Sequence, residues 1–242
     1  MMLRVLAVEL RKLHRSLAAA LAISAPGLIA VFTFFNVLRG KTAQPWDMWM
    51  VGATGIWAFF MLPMSATALT ALIAHMEHGP RTWDHLRALP LPRWTLYAAK
   101  AVSVLLVLAL MSVGVFCLTW AAVKLAVVIK PQLSPTGVFD APAYLTTLGR
   151  MYLAATLLVA IQLWIALRWS SFVPGLVVGI GGTFFAVVAT SAKIGIFLPW
   201  QMPVNMLATE SWRLHTALGL GLGGGLLVLA MMLWHLSRRE VL

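Results

Sequence analysis

The chain has 242 residues, of which 61% are hydrophobic and only 10% charged, with a mean hydropathy of +0.90. Soluble domains carry about 25% charged residues, so this composition excludes a water-covered exterior and leaves no room for an appended nucleotide-binding or catalytic domain. The net charge of +11 is scattered between apolar runs rather than gathered on one soluble face, which excludes nucleic acid as a partner and assigns the cations to topology and anionic headgroups.

A bilayer core of roughly 30 Å needs about 20 apolar residues per helical span. The sequence predicts an all-α integral membrane protein, a single transmembrane domain over 1–242 with six spans. It begins with an amphipathic interfacial helix over 1–16. Leu3, Leu6, Leu10, Leu13 and Leu17 recur at alternating spacings of 3 and 4 and share one helical face. Arg4, Arg11 and Arg15 gather on another face with Lys12 beside them, so leucines would meet lipid and arginines would meet phosphates. The apolar run that follows, 17–38, exceeds the roughly 7–15 residues of a signal-peptide core and reads as an uncleaved first span, with Pro26-Gly27 inside it as a site for a kink.

The second span covers 48–74, opened by Trp46, Trp49 and Trp57 at the interface. The third covers 98–129, longer than a straight crossing needs. Residues 130–148 read as a loop punctuated by Pro131, Pro135 and Pro142. Spans four, five and six cover 151–167, 172–191 and 214–236, the fourth and fifth joined by the tight Arg168-Trp169-Ser170-Ser171 turn. The apolar piece 194–208, interrupted by Pro199 and Pro203, is too short to cross and reads as a re-entrant segment before span six, a surface loop being the alternative.

With the N-terminus inside, inner segments hold 11 Lys and Arg and outer segments 7. That bias predicts a bacterial cytoplasmic-membrane protein, multi-pass, with both termini cytoplasmic.

The segment after span two is the most distinctive. Gly79-Pro80 precedes, and Pro90 and Pro92 stop, a short amphipathic helix over 82–89 whose Trp83, Leu86 and Leu89 share one side. That apolar edge would lie on the membrane surface or enter the groove of a cytoplasmic partner. Glu77, six residues before Trp83, the Leu89-Pro90-Leu91-Pro92-Arg93 stretch and Lys100 together resemble the ABC-2 type transporter permeases, the membrane subunits of bacterial type V ABC exporters. Glu9-Leu10-Arg11-Lys12 before span one fits as well, and within the group the pattern is most similar to the lantibiotic-immunity and bacitracin-type permeases.

The resemblance implies a mechanism. Such permeases pair with a second copy or a paralogue in the lipid bilayer, and each binds a separate ABC ATPase. The 82–89 segment would be the coupling helix, with Glu77, Arg81, Trp83, Asp84, Leu86, Arg87, Leu89 and Arg93 as ATPase-coupling residues. Glu77 would pair with a nearby arginine, one of the N-terminal helix being a candidate, and Arg4, Glu9, Arg11, Lys12 and Arg15 would form the interfacial helix. The chain itself would be no enzyme and hold no cofactor or metal, ATP and Mg residing in the ATPase. An amphiphilic or hydrophobic cargo, such as a peptide antibiotic or lipid, is expected. The alternatives are a haem- or copper-related permease of the same superfamily, or an ATP-independent carrier or membrane scaffold.

Other features fit that division of labour. No G-x-x-x-x-G-K-[ST] phosphate loop occurs. The glycines at 219, 221, 223, 224 and 225, and at 175, 179, 181 and 182, read as close helix packing. His75, His78 and His85 match no zinc spacing, since Gly79-Pro80 breaks the helical register between them. The acids at 9, 47, 77, 84, 140, 210 and 240 are expected in terminal or loop segments, which argues against a proton relay. Cys117 is a lone thiol expected to be buried. Gln162, in span four, would hydrogen-bond a neighbouring helix or line a transport path.

Overall fold

The computed structural model describes residues 2–14, 16–78 and 91–238. The described chain is helical: α1 (Met2–Leu13), α2 (Leu17–Arg39), α3 (Trp46–His78), α4 (Arg93–Ile129), α5 (Ala141–Arg168), α6 (Val173–Val188) and α7 (Ser211–Arg238). Five of these, α2, α3, α4, α5 and α7, are long and apolar enough to cross a membrane. At 16 residues, α6 is shorter, about 24 Å at 1.5 Å per residue, and it runs on into the 3-10 turn Ala189–Ser191. Five to six apolar helices fit a multi-pass membrane protein.

Local chemistry sets the helix ends, and it moves two expected boundaries. Ser16 Oγ accepts the Ala19 N–H at 3.4 Å and starts α2. Leu17 therefore opens α2 instead of closing the leucine face of α1, which stops at Leu13; Arg15 lies outside the described residues. The expected 130–148 loop ends early because Asp140 Oδ1 accepts the Ala143 N–H at 3.0 Å. Pro142 falls in the first turn, where its missing N–H has no partner to lose, so α5 begins ten residues before the expected span.

Three long helices contain backbone irregularities. In α3 the Leu62 N–H reaches back five residues to the Trp57 carbonyl, forming a π-turn over Trp57–Met61 directly before Pro63, whose ring cannot follow an unbroken α ladder. The α5 helix is broken at Ala155, and α7 carries a second π-turn over Leu220–Gly224. The latter two meet. A Cβ on Gly221 would stand 2.3 Å from the Ala154 carbonyl oxygen, and one on Gly225 would stand 2.7 Å from the Leu157 nitrogen. These glycines let two backbones touch. On α6, Gly179 makes room for the Thr67 side chain and Gly182 for the Trp200 ring, whereas Gly181, Gly219 and Gly223 face open space.

The two ends of the bundle differ. At one, the 40–45 and 130–140 connections pair, with Trp46 N–H donating to Thr136 O at 3.2 Å and Thr136 N–H to Gln44 O at 3.0 Å. The Lys130 ammonium donates to Leu38 O at 2.9 Å, the Tyr144 hydroxyl donates to Asp47, and the Trp46, Phe139 and Tyr144 rings cluster. Residues 194–208 form two 3-10 turns, Lys193–Phe197 and Val204–Leu207, with Ile196, Met202 and Met206 buried. They are pinned by Gln201 Nε2 donating to Ala186 O at 3.1 Å and Arg213 Nε to Asn205 Oδ1 at 3.2 Å. At the opposite end lie α1, the last turn of α3, the first turns of α4 and the α5–α6 turn, where the Phe172 ring meets His75 edge-on at 6.4 Å.

Candidate functional site

Four ionised side chains converge at that second end. Lys12 Nζ donates to Glu9 Oε1 at 2.9 Å and to Glu77 Oε1 at 2.7 Å. Lys100 Nζ donates to Glu9 Oε2 at 2.8 Å and to Glu77 Oε1 at 2.9 Å. Among the described residues each ammonium holds both carboxylates and each carboxylate both ammoniums, and these four side chains sum to zero net charge. This ring joins α1 to α3 and α4, the two helices that flank residues 79–92.

The local sequence explains how each member arrives there. Glu9 and Lys12 stand three apart on α1, so both project to one side, the side on which Leu13 is buried against the bundle. Glu77 is in the last turn of α3. Lys100 sits two turns into α4 on the buried stripe shared with Leu96, Ser103 and Val104. The Lys100 side chain is 1% exposed, Glu77 3% and Glu9 7%, while Lys12 keeps 31%. Stripping water from an ion costs several kcal/mol, and only close, hydrogen-bonded partners offset it; a closed neutral ring supplies two such partners to every ion. Burial pushes the Lys12 ammonium down, but its hydrogen bonds to Glu77 and Glu9 and their negative charge outweigh this and raise its pKa above the ordinary 10.5.

Among the described residues Glu77 pairs with lysines, while Arg4 and Arg11 occupy the exposed side of α1. Two expectations are corrected. Glu77, expected in a loop, lies in the last turn of α3 and is buried; Glu9 lies in the terminal helix as expected and is buried as well. Cys117, expected to be buried, is exposed on α4.

Of the other candidates, Arg93 opens α4 and is exposed. Arg81, Trp83, Asp84, Leu86, Arg87, Leu89 and His85, together with the whole 82–89 helix, lie outside the described residues. Gln162 is fully buried between α5 and α6. With its amide turned to satisfy both atoms, Nε2 donates to Gly175 O at 3.1 Å and Oε1 accepts the Gly179 N–H at 3.0 Å. In that orientation it ties two helices together.

Sequence reasoning reached Glu77 and Lys100 as members of one pattern and linked Glu77 to the N-terminal helix through an arginine, but did not find Glu9 and Lys12 as the contacts. A signal was available. Glu9 lies on the leucine stripe itself, three residues after Leu6 and four before Leu13, where lipid would reject a carboxylate.

The chain's amino-acid sequence matches the family described as ABC-2 family transporter protein over residues 5–189. No curated protein matches the chain, and no solved structure does either. The matched span holds all four members of the ring and most of the bundle. The chain belongs to the ABC-2 transporter family: it is a membrane permease of an ABC transporter, a transporter component rather than an enzyme in its own right, and the family implies an ABC ATPase as its partner.

Proposed function

We propose that this ABC-2 permease is the membrane subunit of an ATP-driven bacterial exporter and that the Glu9–Lys12–Glu77–Lys100 ring transmits the ATPase stroke to the helices. The ring carries this reading. Residues 79–92, which include the expected 82–89 coupling helix, begin two residues after Glu77 and end eight before Lys100, so a force on that segment would act on two ring members at once. The other two belong to α1, which therefore moves with the bases of α3 and α4 as one block. A buried neutral ion ring is a weak stabiliser for its cost and is better suited to fixing one register among alternatives. That is what a permease switching between two packed states requires.

In this reading the ring end faces the cytoplasm of a bacterial inner membrane, both termini are cytoplasmic, and 194–208 dips into the opposite leaflet. The permease works as a pair, with a second copy or a paralogue, and ATP and Mg are bound by the ATPase. Its cargo is amphiphilic or hydrophobic, as a peptide antibiotic or lipid would be, because the middle of the bundle carries no ionised side chain among the described residues. The similarity at Glu77 to Arg93 favours lantibiotic-immunity and bacitracin-type relatives.

The test is reconstitution of the permease with its ATPase in lipid vesicles, followed by ATP turnover across a panel of amphiphilic peptides and lipids. Glu77→Gln should leave the complex assembled and lower stimulated turnover at least tenfold. An unchanged Glu77→Gln complex would remove the ring from coupling. A permease that captures no ATPase would return the chain to the carrier or scaffold alternatives.

A further inference from the structure

An open apolar groove of about 650 Å³ runs between α2 and α3. It exists because α2 packs chiefly on α4, through Ala25, Pro26, Ile29, Thr33 and Val37, with the Pro26 ring against Gly114. Leu28, Val31, Phe32 and Phe35, on the side of α2 turned away from α4, stay exposed. Ile56 and Met61, the first before and the second within the π-turn, form the floor, and Leu28, Phe32 and Phe35 form a wall. At one end of the groove stands Arg39. Among the described residues Arg39 makes no ion pair, and the neighbouring Asn36 amide is already committed to Phe32 O at 2.8 Å.

We propose that this groove binds an amphiphile with an anionic headgroup, its chain lying along Leu28 to Phe35 and its headgroup on Arg39. Length and charge select that occupant. From Leu28 to Arg39 the helix rises about 16 Å, half of a roughly 30 Å core, so the groove has the depth of a single leaflet. Its polar end coincides with the end of α2, where headgroups lie. A volume of this size falls in the range of small-molecule sites, and an unpaired guanidinium at its mouth favours a phosphate or carboxylate, which it can hold with two parallel hydrogen bonds. The groove opens in the leaflet opposite the charged ring. The inference is independent of the coupling mechanism, since none of its residues belongs to the ring.

The probe is an equimolar mixture of phosphatidylglycerol and phosphatidylcholine with identical chains, offered to the detergent-purified permease and read by native mass spectrometry. The wild type should retain phosphatidylglycerol about fivefold over phosphatidylcholine. Arg39→Gln should erase the preference, Arg150→Gln on the exposed side of α5 should keep it, and Val31→Trp, which fills the groove, should lose both adducts. Retention of the preference in Arg39→Gln, or of adducts in Val31→Trp, would mean only annular lipid and would overturn the proposal. A disulfide between two copies of Val31→Cys in a Cys117→Ser background would overturn it as well, since a second copy would then cover the groove. All three groove and control substitutions face lipid or solvent, so the Arg39→Gln reading stands even if the tryptophan variant is lost.

Discussion

Lys100 and Glu9 stand 91 positions apart in the chain, yet the ammonium of one lies 2.8 Å from the carboxylate of the other inside the protein. Replacing Lys100 by Met removes the nearly inaccessible cation of the ring and takes one close ammonium away from each of two buried carboxylates. Breaking a buried pair on one side typically costs about 3–5 kcal/mol, and a loss of that size is expected in thermal unfolding of detergent-purified Lys100→Met. The double variant Lys100→Met, Glu9→Gln should recover a substantial part, because it no longer buries an uncompensated charge. Strictly additive losses would show that the two residues are not coupled.

Lys12 gives the ring a defined response to pH. Its pKa is raised above 10.5 in the folded protein, so folding stabilises the protonated form. That contribution is fully present below the unfolded value and is lost as pH rises through the folded one. The difference in thermal stability between wild type and Lys12→Met should therefore stay constant from about pH 6 to 10 and shrink above 10.5. A difference that instead faded between pH 5 and 7 would point to a carboxylate or histidine as the controlling group.

How much of this was legible follows from the range over which each signal acts. Helix positions were readable because apolar length is a property of one segment: α2, α4 and α7 lie within a few residues of the expected spans. The start of α5 was missed because Pro142 was weighed as a breaker, although proline in a first turn behind an aspartate cap is a start signal. The ring was only half legible. Pattern placed Glu77 and Lys100 together, but nothing local says which residue of α1 faces them, and the leucine stripe invited a purely interfacial reading that Glu9 contradicts. The π-turns in α3 and α7 were illegible for the same reason: α7's turn answers the break in α5, a contact between segments some 66 positions apart (221 against 155).

Gln162 should behave as a tie between helices. Its amide bridges the Gly175 carbonyl and the Gly179 N–H, so Gln162→Leu is expected to lower stability by about 1 kcal/mol, the usual scale for polar pairs between helices in membranes. Cargo-stimulated ATP turnover per folded complex should be unchanged. A large change in cargo preference with stability intact would instead make Gln162 part of the transport path.

The α7 glycines offer the sharpest internal contrast, since neighbours of one composition face different surroundings. Gly221 has the Ala154 carbonyl oxygen 2.3 Å from where its Cβ would be, and backbone cannot swing aside as a side chain can. Gly221→Ala must therefore push α7 off the break in α5, and overpacking of this kind costs about 1–3 kcal/mol or more. Gly223 has nothing within 4 Å of its Cβ position, and Ala is the better helix former by about 1 kcal/mol. Gly223→Ala should be neutral or mildly stabilising in the same thermal assay. If the two substitutions behaved alike, the glycines would be tuning helix flexibility in general, and the close contact between α5 and α7 would not be what places them.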